Sequence, residues 1–579
     1  MAPRPKGGFT RRWRILLLIA VCAGLAFIRP ALKGGPKVDE TFSLKHGRDG
    51  FKVGGGKGKG QSSQITIKND ARVQWDETLE AQENAQGEGR SDLETGADGS
   101  GGGAETGEAA VTKTPPEGEA GGWDWETMPV PEDFHNPDTD LPTNPPEDLW
   151  DDPPDEGWRP CIKRPKNYPP ATPLNETNGY IMVNLDGGLS QQMFEICDAV
   201  TLARIVNATL VVPKLEYDAF WKDASGFSEI FDLDFFRYRL RKEINIVRVD
   251  EMPKELQSED MWHMGNRQYL GQPEDYYREE LPALREHRVA WFRLGFYNPL
   301  AIYLPLQYEK LRCRAKYDAL RFSERVVGFG QKLVEKMRGM GGGRFVGMHL
   351  RFEEDMLAHS SCDFGGGEAE AAYFAQMRTE RKWPEADRTA EQLRKDGQCP
   401  SEPREVAKWL RGLGFGPDTP LYLASGKIYR AEYHMANFKA MFPQLQTKRS
   451  LLSPAELAEL KGKSNFMAAV DLYVLTHADV AALTFHGQMR WQIAGERTWK
   501  GFKKTQMLPN WLMPCIEDKS WDEFQAEVRK WEMSGGPRNR SGEAYPVAIY
   551  GNPIPDCMCQ KPGGPPLINA VKITEASGL

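Results

Sequence analysis

No Cys-x-x-Cys or His-Glu-x-x-His pattern occurs in the 579 residues, and the nine histidines show no zinc-ligand spacing. Nothing here reads as a zinc finger or a zincin-type hydrolase. Internal repeats are missing too. A strongly basic surface is absent from the part of the chain that can fold: residues 159–579 sum to only +3, which gives no support for a nucleic-acid partner. The net charge of −8 arises elsewhere. Residues 1–68 carry 14 basic and 3 acidic side chains, whereas residues 69–158 carry 3 basic and 25 acidic ones. Long apolar runs are scarce, and the one at residues 15–28 (ILLLIAVCAGLAFI) is shorter than the roughly 20 residues of a comfortable membrane span.

That run is preceded by five basic residues and followed by Arg29 and Lys33, a bias that holds the N-terminus in the cytoplasm. Residues 1–14 are expected to be a cytoplasmic tail and 15–28 an uncleaved signal-anchor helix. A cleaved signal is the weaker reading, because its small-residue exit near residues 24–26 lies inside the run. Residues 29–158 turn Gly-rich, then acidic, then Pro-rich, the composition of a disordered acidic stem. Trp123, Trp125, Trp150 and Trp158 interrupt it, either as docking points on a folded body or as linker aromatics. Eight cysteines follow in residues 159–579, an even set suited to an oxidising lumen, with Cys557 and Cys559 too close to pair with each other. The sequons at Asn175, Asn207 and Asn539 suit the same compartment.

From Gly179 the texture becomes α/β. Residues 180–185 (YIMVNL) read as a buried strand, Gly187 and Gly188 break it, a helical face runs to Asn207, and residues 209–213 supply the next strand. A second series has strands at 344–350, 421–424 and 480–484 with helices between them. Two tandem α/β units result, with a less regular stretch at 214–340.

Ligands of open α/β sheets gather beyond the carboxyl ends of the strands, so three strand exits attract attention. In Asp186-Gly-Gly-Leu-Ser-Gln-Gln192, the glycines let a ligand approach and the following helix offers free N–H groups, although a tight turn needs the same residues. In Met348-His-Leu-Arg-Phe-Glu-Glu-Asp-Met356, Arg351 can grip a diphosphate through parallel N–H bonds, or it can pair with Glu353, Glu354 and Asp355. At residues 479–489, Thr484, His486 and Gln488 can donate hydrogen bonds to a nucleotide; His486 equally suits a plain surface position. Asp232-Leu-Asp234 has the spacing of a metal-binding carboxylate pair, but it sits among aromatics and such matches are common by chance.

The runs NGYIMVNLDGGLSQQMFEICDAVTLARIVNATLVVP, FWKDASGFSEIFD, FVGMHLRFEEDMLAHSSC, CPSEPREVAKWLRGLGF and LYLASGKIYRAE, with the final GFKKT, resemble the plant O-fucosyltransferase-like family of glycosyltransferases in collinear order over residues 178–560. The resemblance implies an α/β fold of GT-B type. Two Rossmann-like domains, at 159–340 (acceptor side) and 341–505 (donor side), would face a cleft, with 506–579 as an extension packed on them. It implies a single-pass type II Golgi membrane protein with its catalytic part in the lumen. Fucose would be transferred from GDP-fucose, with inversion and without a metal, to a glycan or glycoprotein hydroxyl; some relatives are assigned to UDP-rhamnose and pectin. No resident cofactor is implied, the nucleotide sugar being a co-substrate. Gly187, Gly188, Ser190, Gln191, His349, Arg351, Thr484, His486, Gly487 and Gln488 would bind the donor. Asp355, Glu353 and Asp186 are the candidates for the base beside Arg351. Two departures bear on activity: Ser190 replaces the family's asparagine, and His486 replaces an acid. A non-catalytic scaffold of the same fold is the alternative they open.

Overall fold

Residues 180–183 and 346–348 are apolar because each run lies in the middle strand of a parallel sheet covered on both faces. A computed structural model describes residues 136–185, 187–215, 223–257, 262–263, 281–293, 304–484, 487–533 and 548–560. The expected anchor, the stem as far as residue 135, Trp123, Trp125 and Asn539 lie outside these residues. Among the described residues no helix is long and apolar enough to cross a membrane.

A short strand, β1 (Trp158–Pro160), precedes the first sheet, which contains β2 (Tyr180–Asn184), β3 (Thr209–Val211), β4 (Ile246–Val247), β5 (Trp262–His263) and β6 (Val289–Arg293) in the order β4-β3-β2-β6-β5. The second sheet contains β7 (Val346–His349), β8 (Leu421–Ala424), β9 (Leu445–Thr447), β10 (Val480–Leu483) and β11 (Thr505–Met507) in the order β11-β10-β7-β8-β9. All pairings in both sheets are parallel. Finally β12 (Met558–Gln560) returns to pair antiparallel with β1.

The expected extension at 506–579 begins inside the second sheet. Its first residues complete β11, so a domain boundary at 505 would cut a strand. Farther on, Tyr550 stacks on Phe194 at 4.5 Å and Tyr317 donates to the Ile549 carbonyl at 2.7 Å, which returns the chain to the first sheet. Disulfides Cys161–Cys559 and Cys313–Cys557 fix that return, and Cys362–Cys399 closes a loop after β7. Cys197 is buried and unpaired. Close approach here depends on Gly495, where an added Cβ would lie 2.0 Å from the Tyr550 carbonyl oxygen. A backbone carbonyl cannot rotate away, so Gly495→Ala is expected to destabilise the chain by about 3 kcal/mol, the upper end of overpacking costs. Thermal unfolding of the two proteins side by side checks this.

The stem expectation needs correcting at its C-terminal end. Residues 136–150 pack on the second sheet's helices: Asp138 and Leu149 are buried, and Trp150 lies edge-on to Phe415 at 5.3 Å. Trp158 is buried in β1. The Asp232-Leu-Asp234 pair has a helix-capping role. Asp232 accepts from the Phe235 N–H at 2.9 Å at the start of the Leu233–Leu240 helix and pairs with Arg321 at 2.5 Å. Asp223, from the FWKDASGF run, caps a helix it does not belong to. It accepts from the Asn465 N–H at the start of Ser464–His477, a helix with no cap of its own.

Candidate active site

A cavity of about 2630 Å³ opens where the exits of β7, β8 and β10 meet the glycine turn after β2. Parallel strands deliver their loops to one edge, which is why residues far apart in sequence converge there.

The glycine turn is held by side chains of the helix it feeds. Gly187 has φ +71°, an added Cβ would lie 2.6 Å from Gln191 Oε1, and the Gln192 amide donates to the Gly187 carbonyl at 2.7 Å. Gly188 caps Leu189–Ile205 and Gly487 caps Gln488–Trp499, neither with a side-chain bond. Both glycines line the cavity. Two helix N-termini therefore present unpaired N–H groups and positive dipole ends to one space. Ser190 is buried in the first helical turn, and the Gln191 amide donates to Glu195 at 3.2 Å. Asp186 and His486 lie outside the described residues.

Arg351 sits at the exit of the central strand and lines the cavity. Its Nη1 donates to Glu353 Oε2 at 2.6 Å and to Asp355 Oδ1 at 3.0 Å, and its Nη2 donates to Asp355 Oδ2 at 2.6 Å. Burial opposes the charge, but the two carboxylates outweigh it and hold the side chain cationic well above its usual range. A guanidinium has five N–H donors. The three bonds leave the Nε–H and one Nη2–H without a partner among the described residues, and these two form the side fork that matches a phosphate edge. Both candidate bases are consequently occupied. Asp355 spends both oxygens on Arg351, and Glu353 spends its second on the Gly426 N–H at 2.9 Å. They position the arginine, and each carboxylate keeps lone pairs beyond these bonds.

Thr484 is likewise not open to a ligand. Its hydroxyl donates to the His349 carbonyl and accepts from the Arg351 N–H, each at 3.0 Å, so it staples the β10 exit to the β7 exit. His349 does line the cavity. Its Nδ1 lies 3.1 Å from the Ala424 carbonyl, which can only accept, so the proton sits on Nδ1 and Nε2 carries a lone pair. Burial pushes its pKa down and keeps the ring neutral. Among the described residues, His349 Nε2 and Gln488 Oε1 are both buried acceptors without a partner. Each such vacancy costs about 1–3 kcal/mol, which a ligand donor would remove.

Three residues escaped sequence reasoning. Asp471 is buried at the cavity wall, accepting from Tyr422 Oη at 2.7 Å and Lys448 Nζ at 2.5 Å, and Lys448 also donates to the Ser425 carbonyl at 3.0 Å. The available signal was one carboxylate within the otherwise apolar helical run AAVDLYVL.

Beneath Phe352, 5.0 Å away, lies His434, which burial pushes down to about 4. Its unfolded value is about 6.5. Neutral His434 therefore stabilises the fold fully above pH 6.5, and that contribution is lost as pH falls toward 4, about 3 kcal/mol over the window. Urea unfolding at pH 7 and pH 4.5 should show this loss, and His434→Leu should flatten it.

A family model described as GDP-fucose protein O-fucosyltransferase matches residues 180–500. O-fucosyltransferase 39 of Arabidopsis thaliana is 35% identical over 451 residues, covering 70% of this chain and 86% of the relative. Protein ROOT HAIR SPECIFIC 17 of the same plant is 38% identical over 397 residues, covering 67% and 70%. A crystal structure of POFUT1 in complex with GDP-fucose overlaps with a TM-score of 0.35 at 14% identity, covering 58% of this chain and 99% of that one. That overlap is too loose to carry any position across.

Proposed function

The chain belongs to the GDP-fucose protein O-fucosyltransferase family and is a glycosyltransferase, and from that premise we propose a Golgi-anchored enzyme of GT-B type that moves fucose from GDP-fucose to a glycan or protein hydroxyl. The acceptor oxygen bonds to C1 of the sugar with inversion. The bond from C1 to the β-phosphate oxygen breaks, GDP departs with the electron pair, and the hydroxyl proton passes to a base, for which Asp355, Glu353 and Asp186 are the candidates.

The observation that carries this reading is the unused Nε/Nη2 fork of Arg351 on the cavity wall, held in orientation by two carboxylates. Charge growing on the leaving diphosphate meets that fork and the N–H groups of the two helices, so the stabilisation needs no metal. Gly187, Gly188, Ser190, Gln191, Gly487 and Gln488 form the donor's bed, with His349 accepting from it. Three disulfides and the exposed sequon at Asn175 fit an oxidising lumen. Asn207 is half-buried, with its side chain accepting from Thr172 at 3.4 Å, and is the poorer acceptor of a glycan.

The test is nucleotide release by the full chain from GDP-fucose and UDP-rhamnose in the presence of a chelator. GDP release is expected. UDP release alone would reassign the donor to rhamnose, and no release from either would leave a non-catalytic scaffold.

A further inference from the structure

Among the described disulfides, Cys313–Cys557 and Cys362–Cys399 are closed to solvent, each of their cysteines being 7% exposed or less. Cys161–Cys559 differs. Side chains alternate across the paired strands β1 and β12, so Trp158 and Met558 face the core while Arg159 and Cys559 face out. Cys559 is therefore exposed, and Cys161, one residue past β1, is half-buried.

Thiol–disulfide exchange needs one sulfur that an external thiolate can reach and another that leaves readily with the electron pair. Lys310, on the Leu306–Arg314 helix, serves the second need. Its Nζ donates to Cys161 Sγ and to the Cys161 carbonyl, each at 2.9 Å, and lies farther from Cys559 Sγ, at 3.9 Å. Burial lowers the Lys310 pKa, and Asp556 opposes that shift. A neighbouring ammonium makes a thiol more acidic, and a more acidic thiol leaves faster. Access and charge select the same direction: attack at Cys559 and departure of Cys161.

We propose that Cys161–Cys559 is a thiol-exchange site, opened by a dithiol reductant that attacks Cys559. The first thiolate of the reductant bonds to Cys559 Sγ, the Cys559–Cys161 bond breaks, and Cys161 Sγ takes the electron pair as a thiolate beside Lys310 Nζ. The second thiolate of the reductant then bonds to its partner sulfur and releases Cys559. Two electrons and two protons have passed to the cysteines, and the reductant ends as a disulfide. The opening is local. Cys313–Cys557 still holds the chain two residues before Cys559, and the Cys161 N–H donates to the Cys557 carbonyl at 3.0 Å. What loses its covalent tie is the three-residue pairing of β1 with β12, and two strands alone are marginal in water. Reduction thus loosens the join between the segment leaving the second sheet's helices and the returning C-terminal chain, and leaves both five-stranded sheets in place.

The test treats the folded full chain with reduced glutathione, a monothiol that stops after the first step, traps free thiols with N-ethylmaleimide and maps the peptides by mass spectrometry. Cys161–Cys559 is expected to open about tenfold faster or more than the two buried disulfides, with glutathione on Cys559 and maleimide on Cys161. Lys310→Gln should slow the opening about three- to tenfold, and Lys310→Arg should restore most of the rate. The positions of the two labels in the wild-type chain decide the direction of attack without any variant. Equal opening of the three disulfides, no opening short of global unfolding, glutathione on Cys161, or a folded Lys310→Gln chain that opens at the wild-type rate would overturn the proposal.

Discussion

Arg351→Lys is expected to slow GDP release about 10²–10³-fold, the cost of losing one preorganised donor to the leaving group. Lysine keeps a positive charge between Glu353 and Asp355, so the local electrostatics of the fold survive. What it lacks is the planar fork, since an ammonium cannot hold two carboxylates and a phosphate edge in one plane. Arg351→Ala is the less informative change. It leaves two neighbouring carboxylates without their cation, and breaking a buried pair in this way costs about 3–5 kcal/mol, so lost activity could simply be lost fold. Unfolding midpoints within a degree or two of wild type would show that Arg351→Lys acts on chemistry. A rate within about threefold of wild type would remove Arg351 from the mechanism.

The second large effect concerns residues 136–152. A chain beginning at residue 159 is expected to be less stable than one beginning at 136 by roughly 5 kcal/mol or more, because truncation strips partners from two buried cations, Arg411 and Lys504, and from the half-buried Arg404. The Arg404 Nε donates to Asp138 at 2.5 Å, Arg411 donates to the carbonyls of Thr139 and Leu141 at 3.0 and 2.7 Å, and Lys504 donates to the Asp148 carbonyl at 2.7 Å. Arg411 is 4% exposed, and burial already pushes its pKa down, so it tolerates the loss poorly. Uncovering Leu149 and Trp150 adds about 1.5–3 kcal/mol for each. Gly414 shows how close the contact is, since a Cβ there would lie 2.9 Å from Pro145 Cα. Thermal unfolding of the two chains decides it, and equal midpoints would make the segment a passive linker.

Why the sequence concealed this strap follows from how it is held. Residues 136–152 are polar and proline-rich, and they dock through main-chain carbonyls and through an aspartate whose arginine lies 266 residues away. Composition reports only that such a segment cannot build a core of its own. The two sheets were far more legible, because a parallel strand buried on both faces is written as a short unbroken apolar run, as at 180–183 and 345–348. Arg351 was legible for a related reason, as a charged residue ending such a run. Its carboxylate partners were visible as well, but whether they competed with a ligand or served it depended on which edge of the guanidinium they occupied. Thr484 shows the reverse failure. A threonine at a strand exit reads as a ligand donor until its hydrogen is seen to be committed to a neighbouring strand's carbonyl. Asp471, Tyr422 and Lys448 lie on three different elements, and no local spacing joins them.

The most direct test is a structure of the full chain with GDP bound. A β-phosphate oxygen should lie about 3 Å from both Nε and Nη2 of Arg351, with Glu353 and Asp355 still paired to Nη1 and the far edge of Nη2. A diphosphate bound away from the β7 exit, with that fork facing solvent, would contradict the account.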